Sequence, residues 1–296
     1  MAPCGAAQDG RKDARVAGPS PRGAHPDDPR LFGPGALARL RVAHEELTWL
    51  LGRGYPLQTA LTVVGNHHQL AARQRQALAR VSGSDAQIRS RRERRLEEAS
   101  LAGADLQIDG FNLVITLEVA LGGTEQAASA AGAAEGGAEG AEGSAGSGAD
   151  EGGARTPGRP ESPGGGGRGP LLRGADGALR DLAGLRGRYA PLAATDAALA
   201  LVAEALCRAG VRRARWLLDE AVSSSGRLRA RILERLGGGS FGVEAELVRD
   251  PDVLLVGAPC VVSSDGVVLD RCASWVNLAA DIVARGVPDA WVIDLG

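Results

Sequence analysis

Ala104-Asp105-Leu106-Gln107-Ile108-Asp109-Gly110-Phe111-Asn112-Leu113-Val114-Ile115-Thr116-Leu117-Glu118 reads as a short apolar strand, an abrupt polar turn and a helix. Asp109 falls where the strand ends, and Gly110 relaxes the backbone there. Asn112 is read as the helix N-cap, because its side-chain oxygen can accept from an orphan amide one turn on. Leu113, Leu117 and Leu121 recur at helical spacing and would lay the helix on the sheet. A carboxylate at the carboxyl end of an α/β strand stands where such sheets place their active sites. The plainer alternative is that Asp109 and Asn112 only make the turn and cap the helix.

The pattern repeats downstream. Arg215-Trp216-Leu217-Leu218-Asp219 is an apolar strand ending in a carboxylate, and Ser223-Ser224-Ser225-Gly226 leads into a helix with Leu228, Ile232 and Leu236. A strand follows at 243–248, then an unassigned apolar stretch at 253–256. Cys260-Val261-Val262-Ser263-Ser264-Asp265 runs into another acidic turn, and Asp270 lies one turn further. One helix is expected to carry Val268, Leu269, Cys272, Val276, Leu278 and Ile282, with a final strand at Trp291-Val292-Ile293. Leu171–Arg173 and Ala178–Arg180 flank Asp176-Gly177, a favoured two-residue hairpin turn. Strands alternating with helices predict a parallel α/β sheet.

In such a sheet the ends carrying Asp109, Asp219 and Asp265 share one edge. Converging carboxylates repel, and either protonation or a hard divalent cation relieves them. Mg²⁺ or Mn²⁺ would supply a hydroxide and stabilise charge growing on a phosphoryl group. The alternative is that each Asp merely caps a helix.

Upstream, three short helices with tight Gly-containing turns form a helix-turn-helix-like module over 36–99. Its third helix, about 69–81, is expected to show Arg73, Gln74, Arg75, Gln76 and Arg80 to solvent. Arg89, Arg91, Arg92, Arg94 and Arg95 follow. Such arginine density fits phosphate contacts, or else a solvated face crossed by Glu–Arg pairs. Interleaved aromatics are missing, so base stacking is unsupported. His67 and His68 are adjacent, point different ways and make a poor metal pair.

Residues 1–34, rich in Gly, Pro, Arg and Asp, read as a disordered arm. Residues 122–170 read as a low-complexity flexible insert interrupting an α/β domain that spans 104–296. Lys12 is the only lysine among 296 residues, which excludes a Walker-type loop and Schiff-base chemistry. Gly237, Gly239 and Gly242 match G-x-G-x-x-G but follow a helix and precede a strand, the reverse of the dinucleotide context. None of the four cysteines forms a C-x-x-C pair, net charge is -2, and no apolar run spans a membrane. The expectation is a cytoplasmic protein without a membrane partner.

These residues resemble a known family. Leu50-Leu51-Gly52-Arg53-Gly54-Tyr55-Pro56, Val64-Gly65-Asn66, Ile108-Asp109-Gly110-Phe111-Asn112, Leu218-Asp219 and Ser263-Ser264-Asp265-Gly266 together resemble an uncharacterised prokaryotic family. It is known as domain of unknown function 434, with a C-terminal companion domain, and its name implies no activity. More distantly, the C-terminal half resembles the PIN and NYN nucleases, three-layer α/β domains that cleave RNA with acids around Mg²⁺ or Mn²⁺. Their Asp-Gly-x-Asn turn matches Asp109, Gly110 and Asn112, and their later acids match Asp219 and Asp265, with Asp270 a further member. This chain departs from them at Gly266-Val267, where a second acid would follow Asp265.

That resemblance implies a metal-dependent ribonuclease-like domain, and the arginine density upstream adds the expectation of a helical module that holds RNA. Asp109, Asp219 and Asp265 would ligate the metal, Asp270 would complete the shell, and Asn112 would hold the first carboxylate or touch a phosphate. Arg73, Arg75, Arg80, Arg91, Arg92, Arg95, Ser223 and Ser224 would meet RNA. A non-catalytic nucleic-acid adaptor and a protein-assembly module are the alternatives.

Overall fold

The computed structural model describes residues 22–122, 168–184 and 187–296. Its centre is the opening stretch: strand β2 (Asp105–Asp109) runs directly into helix α6 (Gly110–Leu121). The other strands of the main sheet are β1 (Arg95–Leu96), β5 (Arg213–Asp219), β6 (Gly242–Val248), β7 (Val261–Val262) and β8 (Trp275–Val276). The six-stranded order is β1-β8-β7-β2-β5-β6, and every pairing is parallel, as the alternation of elements predicts. β2 therefore lies between the two strands that carry the other expected acids.

The two-residue strands β7 and β8 are short yet buried because each sends one side chain to either face. Val262 and Val276 enter the larger core, whereas Val261 and Trp275 enter a second core on the opposite face. β5 divides likewise, with Trp216 and Leu218 on the first side and Leu217 on the second. On the first face, α6 packs with α7 (Ala193–Arg208) and α11 (Leu278–Gly286), while α8 (Ser225–Leu236) covers β5 and β6. α6 is buried all round except at Asn112, so its hydrophobicity is not confined to one stripe. The second face is covered only in part. Between β2, β5 and β6 it carries Arg213–Glu244 and Arg215–Glu246 pairs, with Arg215 also reaching Gln107.

A second sheet, β4-β3-β9, joins the hairpin β3 (Leu171–Arg173) and β4 (Leu179–Asp181) to β9 (Val292–Asp294). The final strand thus leaves the main sheet. The helical module comprises α1 (Asp28–Leu31), α2 (Pro34–Gly52), α3 (Leu57–His67), α4 (Ala72–Val81) and α5 (Asp85–Arg94). Its core of Leu40, Leu47, Leu61, Leu78 and Val81 continues into Leu172, Leu182, Ile293 and Leu295. Leu171 and Leu179 belong to the larger core, so the small sheet is a wall shared by both parts.

Several expectations change. Residues 1–21 of the expected arm lie outside the described residues, but 22–34 pack: Asp28 is buried and Arg22 pairs with Glu118 at 2.7 Å. Of the expected insert, 123–167 lie outside the described residues. The hairpin loop is 174–178 rather than two residues, because Asp176 turns inward to bind two arginines. The single helix expected after Asp265 is two, α10 (Gly266–Arg271) and α11, split by β8. The unassigned apolar stretch belongs largely to a short helix, α9 (Pro251–Leu255).

Gly110 is where α6 starts against β5. A Cβ there would lie 2.5 Å from Leu218 Cδ2 and 3.2 Å from the Leu217 carbonyl oxygen, with Leu218 fully buried. Gly110→Ala is expected to destabilise by about 1–3 kcal/mol through overpacking. A denaturation midpoint unchanged from wild type would contradict this close approach.

Candidate active-site edge

The carboxyl edge of the main sheet gathers four acids. Asp109 pairs in register with Leu217, and Asp219 lies two residues beyond it, so both point to the face covered by α9 and α10. Asp265 caps α10, accepting from the Val267 and Val268 amides at 2.8 and 3.3 Å. Asp219 accepts from the Ala221 amide at 2.8 Å.

Asp252 is the acid that sequence reading missed. α9 folds back from the end of β6 over β2 and β5, carrying Asp252 at its start. Burial raises the Asp252 carboxyl above its ordinary value, and the charges of Asp265, Asp250 and Asp219 add to the rise. The signal lay in Asp250-Pro251-Asp252, an acidic turn straight after a strand with proline in a helix's first turn.

Asp109 is half-buried, and its carboxyl is pushed up to about 7. Burial is the chief cause, with Asp252 and Asp265 adding to it. Hydrogen bonds from the Ser263 hydroxyl (3.0 Å) and the Asn112 amide (3.3 Å) oppose it. Asp109 itself is the N-cap of α6, which corrects the expectation for Asn112. The Asn112 side-chain oxygen instead accepts from the Ser264 amide and hydroxyl at 2.8 and 2.9 Å, tying α6 to the turn after β7. Ser263 and Ser264 were visible in Ser263-Ser264-Asp265-Gly266, but sequence alone gave them no role.

Asp270 is not brought into this group. Its carboxylate accepts from Gln87 Nε2 and Arg91 Nε, both at 2.6 Å, because α10 presents it to α5. Nor do the oxygens of Asp109, Asp219 and Asp265 all come within 4.8 Å of one another. Among the described residues, that condition is met by Glu46, His67 and His68.

The arginines divide by environment. Arg91 is buried at 3% exposure, donating to Asp176 (2.9 Å), Asp270 and the Gly266 carbonyl. That corrects its expected place on a phosphate-facing surface: its charge is spent joining the helical module to the acid edge. Arg73 is held by Asp28 and the Gly23 carbonyl, and Arg75 by the Leu70 carbonyl and Asn66. Gln74, expected in solvent, is buried and bonds the Leu31 carbonyl. Arg92 is exposed and bonds the Ala175 carbonyl at 2.7 Å, and Arg95 lies 3.9 Å from Glu97.

Arg80 borders a cleft of about 410 Å³ between the two parts, lined also by Tyr55, Gln87, Ser264, Asp265 and Asp270. Ser223 is exposed and Ser224 adopts a left-handed backbone (φ 68) at the start of α8, both on the loop after Asp219.

The fold and edge thus define an α/β protein with an N-terminal helical module and an acid-lined parallel sheet. Residues 39–94 match the model described as Protein of unknown function (DUF434), and residues 167–281 match Domain of unknown function (DUF5616). An uncharacterized protein of Methanocaldococcus jannaschii is 24% identical over 248 residues, covering 84% of this chain and 96% of that protein. No solved structure matches this chain. No helix among the described residues is long and apolar enough to cross a membrane.

Proposed function

We propose that this chain is a divalent-cation-dependent, ribonuclease-like hydrolase of RNA phosphodiesters, PIN/NYN-like in its α/β part. The observation that carries the reading is the strain on the carboxylates of the edge, from burial first and from one another second. Burial and then the charges of Asp252 and Asp265 push Asp109 up to about 7, and burial and then three neighbouring acids raise Asp252. A hard cation relieves such strain, and an all-oxygen donor set suits Mg²⁺ or Mn²⁺. Asp109, Asp219 and Asp265 would hold it, with Asp252 a fourth donor. Once bound, it would activate a water and stabilise charge on a phosphoryl oxygen.

The chain's own groups set the stage for that step. Ser263 orients Asp109, and Asn112 fixes Ser264 at the cleft wall. Arg80 stands across the same cleft, where it would meet a phosphate. Asp270 keeps Arg91 and Gln87 in place and acts as a positioning residue. The test is cleavage of labelled RNA with Mn²⁺ by the wild type and by Asp109→Asn. Cleavage by both at equal rates would refute the assignment.

A second reading, a non-catalytic nucleic-acid adaptor, is favoured by the capping bonds that Asp219 and Asp265 already make. It uses the same cleft without a cation. In either case Arg80→Ala is expected to weaken RNA binding and to make the salt dependence shallower by about one phosphate contact. An unchanged salt slope in a filter-binding titration would remove Arg80 from the interface.

A further inference from the structure

A different part of the molecule offers softer ligands. His67 is the last residue of α3 and His68 follows it, before Gln69 turns the chain with a left-handed φ of 52°. Adjacent histidines were expected to diverge. Here helical backbone at His67 and a φ of -87° at His68 turn the two rings edge to face, with centroids 4.8 Å apart. α2 runs alongside and supplies Glu46, whose carboxylate lies 2.8 Å from His68 Nε2. One donor atom from each of Glu46, His67 and His68 lies within 4.8 Å of the other two.

We infer that Glu46, His67 and His68 form a binding site for a borderline transition-metal ion of the Zn²⁺ class. Two imidazoles and a carboxylate prefer Zn²⁺, Cu²⁺ or Ni²⁺ to the hard cations suited to the sheet edge. Three protein donors leave a further coordination position for water or an outside ligand. The donors need only a small inward movement, because the Glu46–His68 contact already holds two of them together. His67 is exposed, so the ion has a direct path in. The site is independent of the proposed hydrolase chemistry and stands or falls without it.

Glu46 and His67 also line an apolar pocket of about 560 Å³ with Trp49, Leu50, Val63 and Val64. Trp49 is 58% exposed there, so its fluorescence is a reporter: bound Cu²⁺ or Co²⁺ should quench it.

The experiment is Zn²⁺ calorimetry on the untagged full chain carrying Cys207→Ser, which removes an exposed competing thiol. One ion per chain is expected. Glu46→Gln, His67→Ala and His68→Ala should each weaken binding about tenfold or more. His67 is exposed, so its variant keeps the fold and isolates the ligand's contribution. Asp109→Asn should bind Zn²⁺ as the wild type does, and Co²⁺ should quench Trp49 only while the three ligands are intact. Absence of Zn²⁺ binding, wild-type affinity in all three variants, or loss of binding in Asp109→Asn would each overturn the site.

Discussion

Asp176→Ala should unfold the protein more readily than any surface change, lowering stability by about 3–5 kcal/mol. Asp176 is buried at 1% exposure, and its carboxylate receives Arg180 at 2.8 and 2.6 Å, Arg91 at 2.9 Å and the Ala178 amide at 3.1 Å. Arg180 and Arg91 are themselves buried, so the variant strands the Arg180 guanidinium without its counter-ion and leaves Arg91 with Asp270 alone. Burial alone would push the Asp176 carboxyl up. The hydrogen bonds and charges of Arg180 and Arg91 outweigh it and hold the group at about 2.

The folded value therefore lies below the ordinary 3.8. The stabilisation is present above that ordinary value and is lost as pH falls through about 2. Denaturant titration of the wild type between pH 5 and pH 2 should show this loss, and Asp176→Ala should show less of it. A midpoint within experimental error of wild type would mean the network holds nothing together. The change should also cut the tie between Arg91 and the hairpin loop while Arg91 keeps Asp270 and the Gly266 carbonyl.

Asp109→Asn should act in the opposite direction on stability while removing function. The wild-type carboxyl titrates near 7 in the fold, chiefly because it is buried, against an ordinary 3.8. Between those values the folded state binds the extra proton, so stability falls as pH rises toward 7. Without added cation, the Asn variant should be more stable than wild type at pH 8 and equal to it near pH 4. Its single side-chain oxygen still accepts from the Asn112 amide, and its NH2 can donate to the Ser263 hydroxyl where the second carboxylate oxygen accepted, so the cap survives. RNA cleavage should fall about a hundredfold or more, the loss expected when a cation that supplies several kcal/mol is no longer held. Equal pH profiles for the two proteins would mean that Asp109 carries no unusual burden.

The centre of the fold was legible because its residues obey local rules. An apolar run, a strand-end Asp and a long apolar helix define β2 and α6, and alternation then fixes a parallel sheet. What stayed hidden depends on distant partners. Arg91 looks like a solvent-facing arginine until Asp176 and Asp270 arrive from 85 and 179 residues away. β7 and β8 hold two residues each, too few to show a period, so β8 vanished into an apolar stretch that resembled one helix. Asp252 was missed because α9 is five residues long and gains its meaning only by crossing over β2 and β5. Asn112 was given the cap that Asp109 holds, an error of three residues within one turn.

The central claim is that the carboxylates of this edge share a hard cation. It is tested most directly by following thermal stability during Mn²⁺ and Mg²⁺ titration of chelator-treated protein. Wild type and Asp109→Asn should be compared in a background lacking His68. A cation bound only by the native state raises the melting temperature by mass action. The account predicts a concentration-dependent rise for the wild type and none for Asp109→Asn. A flat response from both proteins, or the same rise in both, would contradict it.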